Sequence, residues 1–144
     1  MARKLGILVT AVLSVAVHAE EAGQPAWSAA PQAYAAVTNI FAAREPFNRA
    51  LVVDQALIEE LPGKGLRFWF RIFGPNYRIY SEAGEASTVK QGEFLYSANG
   101  DSTCDLLFRL QPEHTLTIEG RARHDGSQSG ARFCPTPITL PFKP

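Results

Sequence analysis

Leu66-Arg67-Phe68-Trp69-Phe70-Arg71-Ile72-Phe73 is the stretch that decides the fold. Leu66, Phe68, Phe70 and Ile72 share one face, and Arg67 and Arg71 lie on the other, a period of two that only a strand with one buried side satisfies. Upstream, Leu61-Pro62-Gly63-Lys64-Gly65 breaks the chain, and Leu51 to Ile58 is expected to form the preceding strand. Downstream, Gly74-Pro75-Asn76 turns into a third strand from Tyr77 to Ala83 that extends toward Val89. Glu93 to Ser97 follows, then the Asn99-Gly100-Asp101 hairpin signal, then Cys104 to Leu110 and Thr115 to Glu119, the last two again alternating.

At the two ends the pattern changes. Pro31 to Arg44 is alanine-rich, with Tyr34, Val37, Ile40 and Phe41 at helical spacing, and a short helix ending before Pro46 is expected, a first strand through Tyr34 and Val37 being the alternative. Arg121 to Gly130 reads as a polar loop and Ala131 to Cys134 as a final edge strand. Pro135, Pro137, Pro141 and Pro144 suggest that the tail lies over the surface or hangs free. Five to seven short antiparallel strands without a long helix predict a mainly β protein, a small antiparallel barrel or sandwich with a short N-terminal helix and one disulfide.

Met1-Ala2-Arg3-Lys4, the apolar run Leu5 to Val17 and Val17-His18-Ala19 before Glu20 have the three parts of an export signal, so a processed chain is expected to begin near Glu20. That places it in the periplasm of a Gram-negative cell, or otherwise outside the cell. The apolar run is shorter than the roughly 20 residues a spanning helix needs, and no membrane span is expected. Processing would leave 125 of the 144 residues, enough for one domain at 34–134 with a flexible lead-in at 20–33 and a proline-rich tail at 135–144. Fourteen acids against twelve remaining bases give a near-neutral charge that argues against nucleic acid as a partner, and a monomer is expected. Cys104 and Cys134, an even pair in an oxidising compartment, read as one disulfide whose 30-residue loop is worth roughly 3.5 kcal/mol in the chain-entropy account.

Chemistry-bearing patterns are sparse. His114 sits in a Gln-Pro-Glu-His turn and His124 in the polar loop, neither in a metal motif nor beside a nucleophile. Asp101, Asp105, Glu113 and Asp125 are scattered over turns at no metal-ligand spacing. No catalytic residue, metal or cofactor is assigned, and a non-enzyme is expected. Trp69 and Phe73 fall on the outward side of the strongest strand. They are either covered, by the N-terminal helix or by Ile138, Leu140 and Phe142 of the tail, or exposed as a partner patch.

In order along the chain, Tyr34-Ala35, the 51–57 strand, Gly65-Leu66-Arg67-Phe68, Glu82 to Ala86, Gly92 to Ser97 and Cys104 to Phe108 resemble small exported bacterial β proteins grouped with the periplasmic lysozyme inhibitors. Ser127-Gln128-Ser129-Gly130-Ala131-Arg132-Phe133 is similar to the Ser-Gly-Ala-basic-aromatic loop that inhibitors of c-type lysozyme insert into the enzyme cleft. The resemblance implies a lysozyme or other envelope enzyme as partner, Ser127 and Ser129 as contacting hydroxyls, Arg132 facing a catalytic carboxylate, and Arg121 and Arg123 as rim charge. The lysine of a following Lys-Gly element, which those inhibitors also use, has no counterpart here, and a plain turn before an edge strand is the other reading of the same residues. A different class of function, binding a small apolar ligand, would require a hollow among Phe68, Phe70, Leu106, Phe108 and Ile118; a structural role in the envelope is the third possibility.

Overall fold

The computed structural model describes residues 22–41, 49–74, 78–97, 104–122 and 136–144. Eight antiparallel strands, β1 (Gln32–Phe41), β2 (Arg49–Leu61), β3 (Gly65–Phe73), β4 (Ile79–Lys90), β5 (Glu93–Ser97), β6 (Cys104–Leu110), β7 (Thr115–Ala122) and β8 (Ile138–Lys143), follow one another around a closed up-and-down barrel. The architecture is thus a barrel and not a sandwich.

The alternation of β3 sets the inside. Leu66, Phe68 and Phe70 are fully buried, and Ile72 nearly so. From the neighbouring strands they meet Ala56, Ile58, Ala86, Phe94, Leu106, Phe108, Leu116, Ile118 and Leu140. Rings fill the middle of the barrel. Phe68 and Phe108 lie 4.5 Å apart between centroids, Phe68 and Tyr96 meet edge to face at 4.9 Å, and Phe70 and Phe108 at 6.2 Å. An eight-stranded barrel has an interior just wide enough to be filled by side chains, and here large aromatics fill it. Gly84 makes this possible on β4, because a Cβ there would lie 2.7 Å from Cε2 of Tyr96. At the mouth of the β2–β3 turn, Gly65 has φ +141°, and a Cβ would sit 2.0 Å from the Ala86 carbonyl oxygen, so no other residue fits.

Three expectations are corrected. Residues 32–41 form β1, not a helix. Tyr34 and Ile40 point inward with Ala36 between them, while Val37, assigned to the helix's apolar stripe, is 68 % exposed. The helical preference of alanine is worth only tenths of a kcal/mol per residue, and ten consecutive pairings with β2 outweigh it. The tail is neither loose nor a surface arm, since β8 is the closing strand, pairing Thr115–Ile118 of β7 on one side and Ala33 and Tyr34 of β1 on the other. Pro141 is accommodated there because the Phe142 amide donates to the His114 carbonyl (2.9 Å), which makes Thr115–Pro141 a non-hydrogen-bonded pair. The proline nitrogen therefore faces β1, whose ladder with β8 ends at Tyr34–Phe142.

The third correction concerns the lead-in. Residues 22–29 are hydrogen-bonded to the outside of β2, β3 and β4. The expected edge strand at 131–134 and the export signal at 1–19 lie outside the described residues.

Truncating Phe68 to Ala is expected to cost about 3–5 kcal/mol in urea unfolding, because rigid strands cannot collapse into the space of a ring. Gly65→Ala is expected to destabilise as well, through backbone overlap and not through lost packing. A Phe68→Ala cost below about 1 kcal/mol would contradict a filled interior.

Candidate binding surfaces

The meander gives the barrel two unlike ends. Connections at 62–64, 91–92 and 111–114 are tight turns at one end, and those at 42–48, 74–78, 98–103 and 123–137 leave the other. Asp54, inward-facing and fully buried, braces the long-connection end. Its carboxylate accepts from Thr38 Oγ1 (2.6 Å) on β1 and from the Phe73 amide (2.8 Å) on β3, just beyond Gln55–Arg71, where the β2–β3 ladder stops. A carboxylate here replaces the missing rung and ties three strands together.

At the same end, on β4 and β5, Tyr80, Glu82 and Tyr96 occupy inward positions. Tyr80 stacks on Phe70 at 5.5 Å. Burial, reinforced by the charges of Glu82 and Tyr96, pushes the Tyr80 phenol up to about 12. Burial, the Glu82 charge and the hydrogen bond to Glu82 raise Tyr96 too. Both phenols thus stay protonated over the physiological range as donors at the mouth of a filled barrel.

Of the residues the sequence singled out, Ser127, Ser129, Arg123, Arg132 and Cys134 lie outside the described residues, on the connection that leaves β7 at this end. Arg121 is in β7, exposed, with Nε 3.6 Å from Glu119 Oε1. Cys104 is buried and is not a free thiol. His114 is exposed, with φ +58°, at the tip of the β6–β7 turn, 6.1 Å from the Phe142 ring. Among the described residues no group of three His, Cys, Asp or Glu is arranged to hold a metal. The hollow that an apolar ligand would require is occupied, since Phe68, Phe70, Leu106, Phe108 and Ile118 are all buried against one another.

Trp69 and Phe73 do not form an exposed patch. Phe73 is half-buried beneath the Arg71 guanidinium, 5.6 Å from its ring centroid. Trp69 is 7 % exposed, and what reaches it is neither a helix nor the tail but the lead-in, whose Ala22 carbonyl accepts from Nε1 at 2.7 Å. The outer wall that receives this segment consists of three cross-strand rows on β2, β3 and β4. These are Gln55–Arg71–Ser81, Leu57–Trp69–Ala83 and Glu59–Arg67–Glu85, an apolar row between two polar ones.

Glu59 is the residue that sequence reasoning missed. Its buried carboxylate accepts two successive backbone amides, Ser28 on Oε2 (3.1 Å) and Ala29 on Oε1 (2.8 Å), and a third bond from Arg67 Nη1 (3.1 Å). Arg67 also donates to Ser28 Oγ (2.8 Å) and, through Nε and Nη2, to Glu85 Oε1. Burial by itself raises the Glu59 carboxyl, but the two amides and the Arg67 charge outweigh it, and the net position is below the ordinary carboxylate range. The only signal in the sequence was the acid pair Glu59-Glu60 after the apolar residues Ala56-Leu57-Ile58.

A second network crosses β5, β6 and β7, where Arg109 joins Glu93 (3.3 Å) and Glu119 (2.9 Å), with Lys90 on Glu93. Comparison with known families, with curated proteins and with solved structures returns no match.

Because the Glu59 carboxyl is lowered in the folded chain, its contribution to holding the lead-in is complete above the ordinary carboxylate value of about 4.3 and is lost as pH falls through the lower folded value. Both tryptophans report on this contact, Trp27 from the segment and Trp69 from the wall. Acrylamide quenching of their fluorescence is expected to stay low from neutral pH down to the carboxylate range and to rise in acid, and Glu59→Gln is expected to raise it already at neutral pH. Quenching that is insensitive to both changes would contradict the contact.

Proposed function

We propose that the protein is a non-catalytic exported binding module that holds a partner protein at the long-connection end of its barrel. The observation that carries this reading is the division of labour between a filled interior and one end from which the four longer connections leave. A rigid strand scaffold that displays loops loses little entropy on binding, and binding residues concentrate on such loops. The connection 123–137 is the longest of the four, and it carries Ser127, Ser129, Arg123 and Arg132, with Arg121 at its root. On this reading Arg132 pairs with a carboxylate in the cleft of a lysozyme or other envelope enzyme, and the serine hydroxyls contact its rim. A Cys104–Cys134 disulfide would tether that connection to the wall at the buried Cys104, and an oxidising compartment would allow it to form. The 1–19 segment would supply export.

The alternative of an apolar ligand inside the barrel has the packing of Phe68 and Phe108 against it. A purely structural role in the envelope makes no use of an end from which four longer connections leave.

The test is capture on the immobilised processed protein, with c-type lysozyme and other lysozymes offered separately. Specific capture is expected, weakened roughly tenfold or more by Ser129→Ala or Arg132→Ala in line with the loss of a charge-assisted bond. Capture that is equal in the variants would place the partner elsewhere, and no capture of any lysozyme would remove that enzyme class as partner.

A further inference from the structure

The contacts of residues 22–29 with the barrel wall have a common property. Nearly every wall group reads the main chain of the segment, not its side chains. Glu59 takes the Ser28 and Ala29 amides, Trp69 gives its N–H to the Ala22 carbonyl, and Ser81 Oγ accepts the Ala22 amide (3.2 Å). Among these hydrogen bonds, the one to a side chain of the segment is from Arg67 to the Ser28 hydroxyl. Between the polar clamps lies the apolar row Leu57–Trp69–Ala83, and the segment above it, Ala22-Gly23-Gln24-Pro25-Ala26-Trp27-Ser28-Ala29, is built mostly of small residues that let its backbone approach. A carboxylate that takes two adjacent amides, flanked by an indole donor and a hydroxyl acceptor, is the chemistry of an extended-peptide seat.

We propose that the outer face of β2, β3 and β4 is a binding site for an extended small-residue peptide, which the chain's own segment 22–29 fills at rest and which the same segment of a second copy fills by exchange. The seat needs no covalent continuity with its occupant, because the hydrogen bonds described between them are all made by residues within 22–29, and the segment joins β1 through Ala30-Pro31. The near-neutral charge of the processed chain, twelve bases against fourteen acids, sets little repulsion between copies. Exchange of an identical element between protomers costs few contacts, since the same ones form in trans. The cis segment also shields Trp69, so the seat is closed to other peptides until the segment leaves.

Ala29→Pro tests this without touching the wall, since it removes the amide that donates to Glu59 Oε1. The probe is a fluorescently labelled peptide with the sequence of residues 20–31, followed by anisotropy against the full processed protein. Saturable binding is expected to Ala29→Pro. Wild type, with its seat filled, and the Ala29→Pro/Glu59→Gln double variant are both expected to bind roughly tenfold or more weakly. Acrylamide quenching of Trp69 in a Trp27→Phe background verifies that Ala29→Pro opens the seat, and near-ultraviolet circular dichroism that the barrel persists.

For the second copy, wild type taken at high concentration to about pH 3 and back to neutrality is expected to yield a dimer by light scattering, which Glu59→Gln does not form. An opened seat that binds no peptide overturns the site. A seat that stays closed in Ala29→Pro overturns the Glu59 clamp. Peptide binding with wild type remaining wholly monomeric overturns the assignment to a second copy and gives the seat to a foreign peptide.

Discussion

Everything in this molecule depends on closing the sheet, and closure rests on the short contact between β1 and β8. Tyr34 with Phe142 and Ala33 with Lys143 are the pairs that join first strand to last, backed by the edge-to-face contact of the Tyr34 and Phe142 rings at 5.7 Å. Were that seam open, β1 and β8 would be edges with unpaired backbone groups, and Leu140, Phe142 and Tyr34 would lose the cover that keeps them dry. The proline in β8 limits how far the seam can zip, which makes closure a matter of a few bonds and much packing. The aromatic filling therefore does two things at once. It stabilises each strand by burying its inward residues, and it fixes the circumference at which β8 can meet β1.

A filled barrel has only its outside and its ends to offer a partner. One end carries the tight turns, the long connections leave the other, and Asp54 ties three strands together at that second end. The outer wall is divided by charge. In the Glu59–Arg67–Glu85 row and the Glu93–Arg109–Glu119 network one arginine is shared between two acids. That leaves Trp69, an apolar residue on the wrong side of its strand, as the place where the wall requires cover, and the segment 22–29 provides it. The solvent-facing apolar residues of β1 and β2, Val37 and Leu51, have no such cover among the described residues.

The strands were legible wherever one face was buried and the other was polar. β5 and β6 lie at the residues their alternation predicts, and β2, β3, β4 and β7 differ only in length, because period-two burial is a local signal. What failed was what only closure decides. Nothing within Gln32–Phe41 says that a ten-residue ladder awaits it on β2, and alanine spacing imitates a helical stripe. Nothing within Ile138–Lys143 says that a proline-bearing strand has a place where its nitrogen is not needed. Glu59 and Asp54 read as polar interruptions in an apolar strand, since their partners, an amide pair some thirty residues upstream and the end of β3, are set by the three-dimensional path.

The most direct measurement of closure is native-state hydrogen exchange of the processed protein, resolved by residue. The amides of the seam pair Ala33–Lys143, and with them Phe142, whose amide is bonded on the β7 side of the same strand to the His114 carbonyl, are expected to exchange through the same global opening as those of β3 and β6. Exchange of residues 138–143 at the rate of an unstructured tail, with β3 still protected, would contradict a closed barrel.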